Sequence, residues 1–286
     1  MQRRPRRRQA HRAGALAQGQ LRLYLTVAGI IIALVLLILL LRPASQLLNA
    51  PEIARAKRLG VLRVGVLADM PGFSVMNNGS GEGLEISLAY ALSKQIFPDM
   101  DPQVAVELVA VNRYTALSHL KNGDVDVVFA MQRNTGSDLY TYSVPYFTDS
   151  VQLLCRAGTE HDSLNAKSIG MIENSESAAA WKVYDQKNDA MLKAQYYASY
   201  PDLIAALRAG KVDYVAVPGA VVSGLLTSGI SVHDISLGSA EYVAVSMAES
   251  PSFALLADLV IQQMQGDGEL NALISQYGLT QYTAEK

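Results

Sequence analysis

The pattern of apolar and polar positions divides the chain into one long apolar run and a remainder in which short apolar runs alternate with amphipathic stretches. Leu23 to Leu41 reads LYLTVAGIIIALVLLILLL, 19 residues without a charge, nearly enough at about 1.5 Å per helical residue to span a hydrocarbon core. Farther on, Val61 to Leu67 and Val104 to Val109 read as strands, the second with Val104, Val106 and Leu108 on one face. Between them, Gly83 to Ile96 places Leu84, Leu88, Leu92 and Ile96 four apart, the spacing of one buried helical face. Ser168 to Ile172 predicts another strand, and a helix follows from Ser175. Trp181, the only tryptophan, falls inside that helix and is read as packing on it rather than as a ligand platform.

The chain also repeats itself. LKNGDVDVVFA (Leu120 to Ala130) returns as LRAGKVDYVAV (Leu207 to Val217), 87 residues later. Each copy has a helical stretch before it (Tyr114 to Lys121, Pro201 to Ala209) and a glycine where a helix can end in left-handed geometry. An apolar run of strand length follows. Helix, glycine and buried strand make half of a parallel α/β unit, so a repeat this far apart predicts two similar α/β lobes rather than a solenoid. The plainer alternative is that any α/β protein can reuse this junction.

Half of the 286 residues are hydrophobic and 17% are charged, which excludes long intrinsic disorder. The formal charge of −2 hides an asymmetry: residues 1–42 hold eight of the 24 basic side chains and none of the 26 acidic ones. The acidic remainder argues against nucleic-acid binding, which needs a basic footprint. A single cysteine, Cys155, excludes an intramolecular disulfide and a cysteine-rich metal site; within VQLLCRAG it reads as a small core residue. The four histidines (His11, His119, His161, His233) are isolated and read as surface groups. No metal site, cofactor or catalytic constellation is expected.

Seven arginines precede the apolar run and Arg42 follows it. The positive-inside rule then places the N-terminus in the cytoplasm and everything after Pro43 outside. This predicts a cytoplasmic basic segment (1–22), a transmembrane anchor (23–41) and a linker (42–53). A cleaved secretory signal is the rival reading; against it, the small-residue site Leu48-Asn49-Ala50 has a bulky first position.

From about Ala54 to Gly278 the chain resembles the extracytoplasmic solute-binding proteins of amino-acid ABC transporters, family 3. LRVGVLADMPGF (Leu62 to Phe73) is similar to the family's first strand and following turn, with Asp69, Pro71 and Phe73 kept around Met70 and Gly72 in place of a proline. GEGLEISLAYALSKQI (Gly81 to Ile96) is similar to its signature helix, with Ser87 where an acid is usual. LKNGDVDVVFA, YSVPYF (Tyr142 to Phe147) and GDGELNALISQYG (Gly266 to Gly278) match further blocks in order. The resemblance implies an α/β, two-lobed type II periplasmic-binding-protein fold, here preceded by one N-terminal transmembrane helix. Lobe 1 would be 54–150 plus 246–286 and lobe 2 151–245, joined near Ser150 to Arg156 and Tyr242 to Met247. The lobes would close on a small molecule and dock on an ABC permease.

The resemblance also implies candidate ligand-binding residues: Asp69, Met70, Phe73, Arg133, Thr135, Ser175, Glu176 and Pro218. The family's usual carboxylate-binding arginine is missing: aligned on Thr135 it becomes Asp138, and aligned from Ser143 it becomes Gly136. Arg133 either substitutes for it or is a solvated loop arginine. The aspartate that usually holds an ammonium group is Pro218. The family's Gly-Thr-Thr turn reads Asn174-Ser175-Glu176, where Ser175 can cap the helix. Glu176 either attracts a cation or merely favours the helix N-terminus. An ordinary α-amino acid is therefore doubtful as ligand. A cationic ligand, a peptide or no ligand at all stay open. Beside transport stand two alternatives: an anchored sensing or scaffold domain with a degenerate pocket, and an enzyme similar to cyclohexadienyl dehydratase.

Overall fold

The computed structural model describes residues 45–77, 80–173 and 175–282. The chain divides into Met1–Ala50 and Pro51–Lys286, and the second holds every element named below. The expected anchor at 23–41 and the basic segment before it lie outside the described residues. Among the described residues, no helix is long and apolar enough to cross a membrane.

In chain order the elements are α1 (Pro51–Leu59), β1 (Leu62–Leu67), β2 (Asp69–Met70), β3 (Ser74–Asn77), β4 (Ser80–Glu82), α2 (Leu84–Ile96), α3 (Pro102–Ala105), β5 (Val106–Val111), α4 (Ala116–Asn122), β6 (Val127–Gln132) and β7 (Tyr140–Arg156). They continue as β8 (Ser168–Ile172), α5 (Glu176–Asn188), β9 (Lys193–Tyr197), α6 (Tyr200–Arg208), β10 (Tyr214–Pro218), α7 (Gly219–Leu225), β11 (Ile230–Met247), α8 (Ser252–Asp267) and α9 (Glu269–Gln276).

One eight-stranded sheet runs through both lobes in the order β5-β1-β6-β11-β7-β10-β8-β9. In lobe 1, β1 pairs in parallel with β5 and β6; in lobe 2, β8 pairs in parallel with β9 and β10. The connection is made by β7 and β11, 17 and 18 residues long and antiparallel to each other. Near one end β11 takes β6 as its other neighbour, through Val243↔Gln132 and Val245↔Val128. Near the opposite end β7 takes β10, from Pro218↔Val151 to Tyr214↔Cys155. Between these, Thr148↔Glu241, Asp149↔Ala240 and Ser150↔Ser239 carry the sheet from lobe to lobe.

The repeated motif performs the same structural task twice. Arg63, at the start of β1, donates its backbone N–H to Asp126 Oδ2 at 3.0 Å, while its carbonyl accepts from the Asp126 N–H at 2.9 Å. Ser168, at the start of β8, donates likewise to Asp213 Oδ2 at 2.9 Å and accepts from the Asp213 N–H at 3.0 Å. Each aspartate side chain thus satisfies an N–H at the mouth of a parallel strand pair, where the ladder has not yet begun. Gly123 ends α4 in the left-handed conformation, with φ of 73°.

Leu84, Leu88, Leu92 and Ile96 are all buried, as their spacing predicts. The strand expected from Val104 starts instead at Val106. Asp101 caps the preceding turn by accepting from Gln103 N–H, and Pro102 opens a short helix that carries Val104 into solvent at 69% exposure. Cys155 is a core residue as expected, with its thiol pushed up by burial. His233 is a correction: it is buried, not superficial. Its Nδ1 accepts from Ile235 N–H at 3.0 Å, so its Nε2 carries the proton and donates to Asp162 O at 2.9 Å.

Candidate functional site

Parallel strands of an open α/β sheet present their C-terminal ends to a ligand crevice, and the charged groups of interest lie at those ends. After β5, Asn112 Oδ1 accepts from the N–H groups of Tyr114 and Thr115, at 2.9 and 3.0 Å, forming a tight corner with Arg113 at its tip. After β8, Ser175 caps α5: its hydroxyl accepts from Ala178 N–H at 3.2 Å and donates to Ile172 O at 2.6 Å. That cap sets Glu176 at the first helical position, with only 3% of it exposed.

These two positions meet across the lobes. Arg113 Nη1 donates to Glu176 Oε1 at 2.6 Å, and the guanidinium carbon lies 5.9 Å from the centre of the Tyr242 ring. Burial works to lower the Arg113 pKa, but the Glu176 carboxylate outweighs it and holds the guanidinium charged. Tyr242 sits on β11 without exposure and is supported from behind by Phe147, stacked at 6.3 Å, and by Phe73, edge-on at 6.0 Å. At its other end the Tyr242 hydroxyl donates to Asp149 Oδ2 at 2.9 Å, where Ala220 N–H also donates at 3.4 Å. Asp149 Oδ1 is enclosed and has no partner. Burial pushes this carboxyl up to about 7; the Tyr242 hydrogen bond opposes the shift. Glu176, Arg113, Tyr242 and Asp149 therefore form one chain of contacts from lobe 2 through lobe 1 to both connecting strands.

A second buried carboxyl shapes the same region from below. Glu85, on α2, accepts from Tyr146 Oη–H at 2.6 Å and Met131 N–H at 2.8 Å on one oxygen, and from Ser74 Oγ–H at 3.1 Å on the other. Burial pushes Glu85 up to about 7 against these hydrogen bonds. The bond from Met131 N–H anchors a residue with a φ of 48°, one position before the end of β6 and two before Arg133.

The structure brings some of the expected residues together and leaves others apart. Arg133 and Glu176 line one cavity of about 490 Å³, with Glu241 and the apolar Val183 and Leu237. Met70 lines a second, of about 310 Å³, with Pro71 and Leu279 facing Ala220 and Leu225 of α7. Pro218 is buried at the start of α7, paired with Val151. Phe73 is a core side chain beneath the cleft rather than a surface within it. Asp69 is exposed on β2, and Thr135 is exposed with its hydroxyl 2.9 Å from that of Tyr142. Arg113, Tyr242 and Asp149 escaped the reading of the sequence. A usable signal for Arg113 was a basic residue two positions beyond a parallel strand. For Asp149 it was a lone acid in an apolar run. Among the described residues, no group of three or more histidine, cysteine or acidic side chains could hold a metal.

Two α/β lobes on one sheet, joined by a pair of long strands and facing each other with charged groups, define a periplasmic-type binding protein. The sequence pattern of the bacterial extracellular solute-binding proteins, family 3, matches residues 62–280, and the chain belongs to that family. Solved structures share the fold at low identity. The amino acid ABC transporter substrate-binding protein AbpA of Streptococcus pneumoniae, bound to L-arginine, is 20% identical with a TM-score of 0.59, covering 78% of this chain and 97% of its own. A periplasmic binding protein of Brucella ovis with glutathione bound is 16% identical with a TM-score of 0.62, covering 78% and 73%. An ancestral amino-acid-binding protein, a precursor of cyclohexadienyl dehydratase, is 20% identical with a TM-score of 0.60, covering 80% and 99%.

Proposed function

We propose that this protein is a membrane-anchored, extracytoplasmic solute-binding protein that captures a small polar ligand, amino-acid-like or cationic, between its lobes and delivers it to an ABC permease. The observation that carries the reading is the meeting of Arg113 and Glu176: one cation and one anion, from opposite lobes, at strand ends that face each other. Such a site binds a polar molecule through both lobes at once, which is what makes closure depend on ligand. Arg133 and Glu241 beside Glu176 extend the polar lining, and Val183 and Leu237 offer an apolar wall. The anchor is proposed from the 19-residue apolar run and its flanking arginines. Carbonate-resistant membrane association, with protease access only from outside, is its expected result; a released protein beginning near Pro51 would refute it.

Native mass spectrometry of gently purified protein, followed by calorimetry with the recovered compound, tests the binding function. A retained small molecule that binds unchanged supports it. Conversion of a prephenate-like acid would replace it with the enzyme reading. A second reading, an anchored sensing or scaffold domain, is favoured by the fact that Glu176 is satisfied by a side chain of the protein itself, Arg113. It gains if no solute is retained or bound.

A further inference from the structure

We infer that Arg113 is both a clasp and an internal competitor: its guanidinium holds the lobes together on Glu176 and stands where the cationic group of a ligand, a guanidinium or an ammonium, binds. The ligand half of this inference rests on the solute-binding reading; the clasp half rests on geometry alone. The Arg113 corner is fixed by Asn112 and by the Arg113 carbonyl, which accepts from Gln132 Nε2–H at 3.2 Å, so the side chain reaches the cleft from a stiff base. At its far end it has the surroundings a bound cation needs: the Glu176 oxygen at 2.6 Å and the face of Tyr242 within cation–π range. Beyond that ring lies Asp149, with one enclosed oxygen that nothing donates to.

Specificity follows from the energetics of a buried pair. Removing one partner leaves an uncompensated buried charge, whereas exchanging it for another of the same sign does not. A neutral or purely anionic ligand that draws Arg113 away strands Glu176. A cationic one replaces the charge it displaces. Because Arg113 is tethered, it competes at an effective concentration on the order of millimolar. Weak cations are therefore kept out, and their apparent affinity is lowered by the occupied fraction.

The test uses the full-length chain in nanodiscs, with spin labels on Val104→Cys and Met191→Cys, one exposed site in each lobe; buried Cys155 stays unlabelled. Without ligand, Arg113→Met and Glu176→Gln should shift the distance distribution away from that of the wild type. The swap Arg113→Glu/Glu176→Arg should restore it, which a merely misfolded single variant could not do. Calorimetry with agmatine and L-arginine should show both binding at least tenfold more tightly to Arg113→Met than to wild type, and at least tenfold more weakly to Glu176→Gln than to Arg113→Met. An unchanged distribution in both single variants overturns the clasp. A shifted distribution without tighter binding of either cation overturns the competition. If the distribution shifts as expected but neither wild type nor Arg113→Met binds any solute, the solute-binding reading fails while the clasp stands.

Discussion

Replacing Glu85 by glutamine should change how stability depends on pH, and in a direction opposite to intuition about lost carboxylates. The wild-type carboxyl is pushed from an ordinary 4.5 to about 7. A group whose folded pKa is raised stabilises the fold fully below its unfolded pKa, and that contribution is lost as pH rises through the folded one. A rise from 4.5 to about 7 corresponds to about 3 kcal/mol, most of it lost between about pH 5 and pH 8. Glutamine mimics the protonated acid. Its carbonyl can still accept from Tyr146 Oη–H and Met131 N–H, and its amide can donate to Ser74 Oγ, whose hydroxyl rotates to accept. Glu85→Gln should therefore lie within about 1 kcal/mol of wild type at pH 5 and be more stable by about 2–3 kcal/mol at pH 8. Urea denaturation followed by circular dichroism, at intervals from pH 5 to 8.5, reads the difference directly. Parallel curves for the two proteins would mean that Glu85 is ionised throughout, and the burial argument would be wrong. Asp149, also raised to about 7 and fully buried, should add a wild-type slope of the same sign that the Glu85 variant retains.

Gly83 holds a φ of 129° and abuts the Phe73 carbonyl, so Gly83→Ala should cost roughly 3 kcal/mol or more in chemical denaturation. Gly123→Ala, left-handed but facing open space, should cost only about 1 kcal/mol. Asp126→Asn and Asp213→Asn should each destabilise by roughly 1–3 kcal/mol, Asp126→Asn more because Arg63 also donates to that carboxylate from its guanidinium, at 2.6 Å. Equal losses would sink the ordering. Cys155 should resist a thiol reagent in the folded protein and react on denaturation; fast labelling at neutral pH would contradict its burial.

What the sequence revealed was whatever is periodic or repeated. The four-residue spacing from Leu84 to Ile96 is a property of one helix, and the Asp126 and Asp213 motifs serve contacts with the next strand in the same lobe. Local features that cut across a pattern were harder to see: the alternation from Val104 to Leu108 reads as strand until Asp101 and Pro102 are recognised as a cap and a helix start. Arg113 could not be found from its neighbours because its partner is 63 residues away in the other lobe. The family blocks mark the ends of β6 and β10, where Arg133 and Pro218 stand, and not the end of β5, where Arg113 stands. Buried His233 bonds to the Asp162 carbonyl 71 residues away and packs edge-on against Tyr214, contacts with no sequence signature.

With the usual arginine and aspartate missing, the sequence pointed to Arg133 and Glu176 as the opposed charges of the cleft; the structure pairs Glu176 with Arg113 instead, from the ends of β8 and β5. The relocation changes what a solute must displace. Charges that face a ligand from fixed, separated positions stay solvated until the ligand arrives. A long side chain on a turn can cross to its partner and neutralise it first, as Arg113 does. On the proposed clasp, the groups that would bind a solute also hold the lobes together, and the preference among solutes depends on which of them can offer Glu176 a replacement charge.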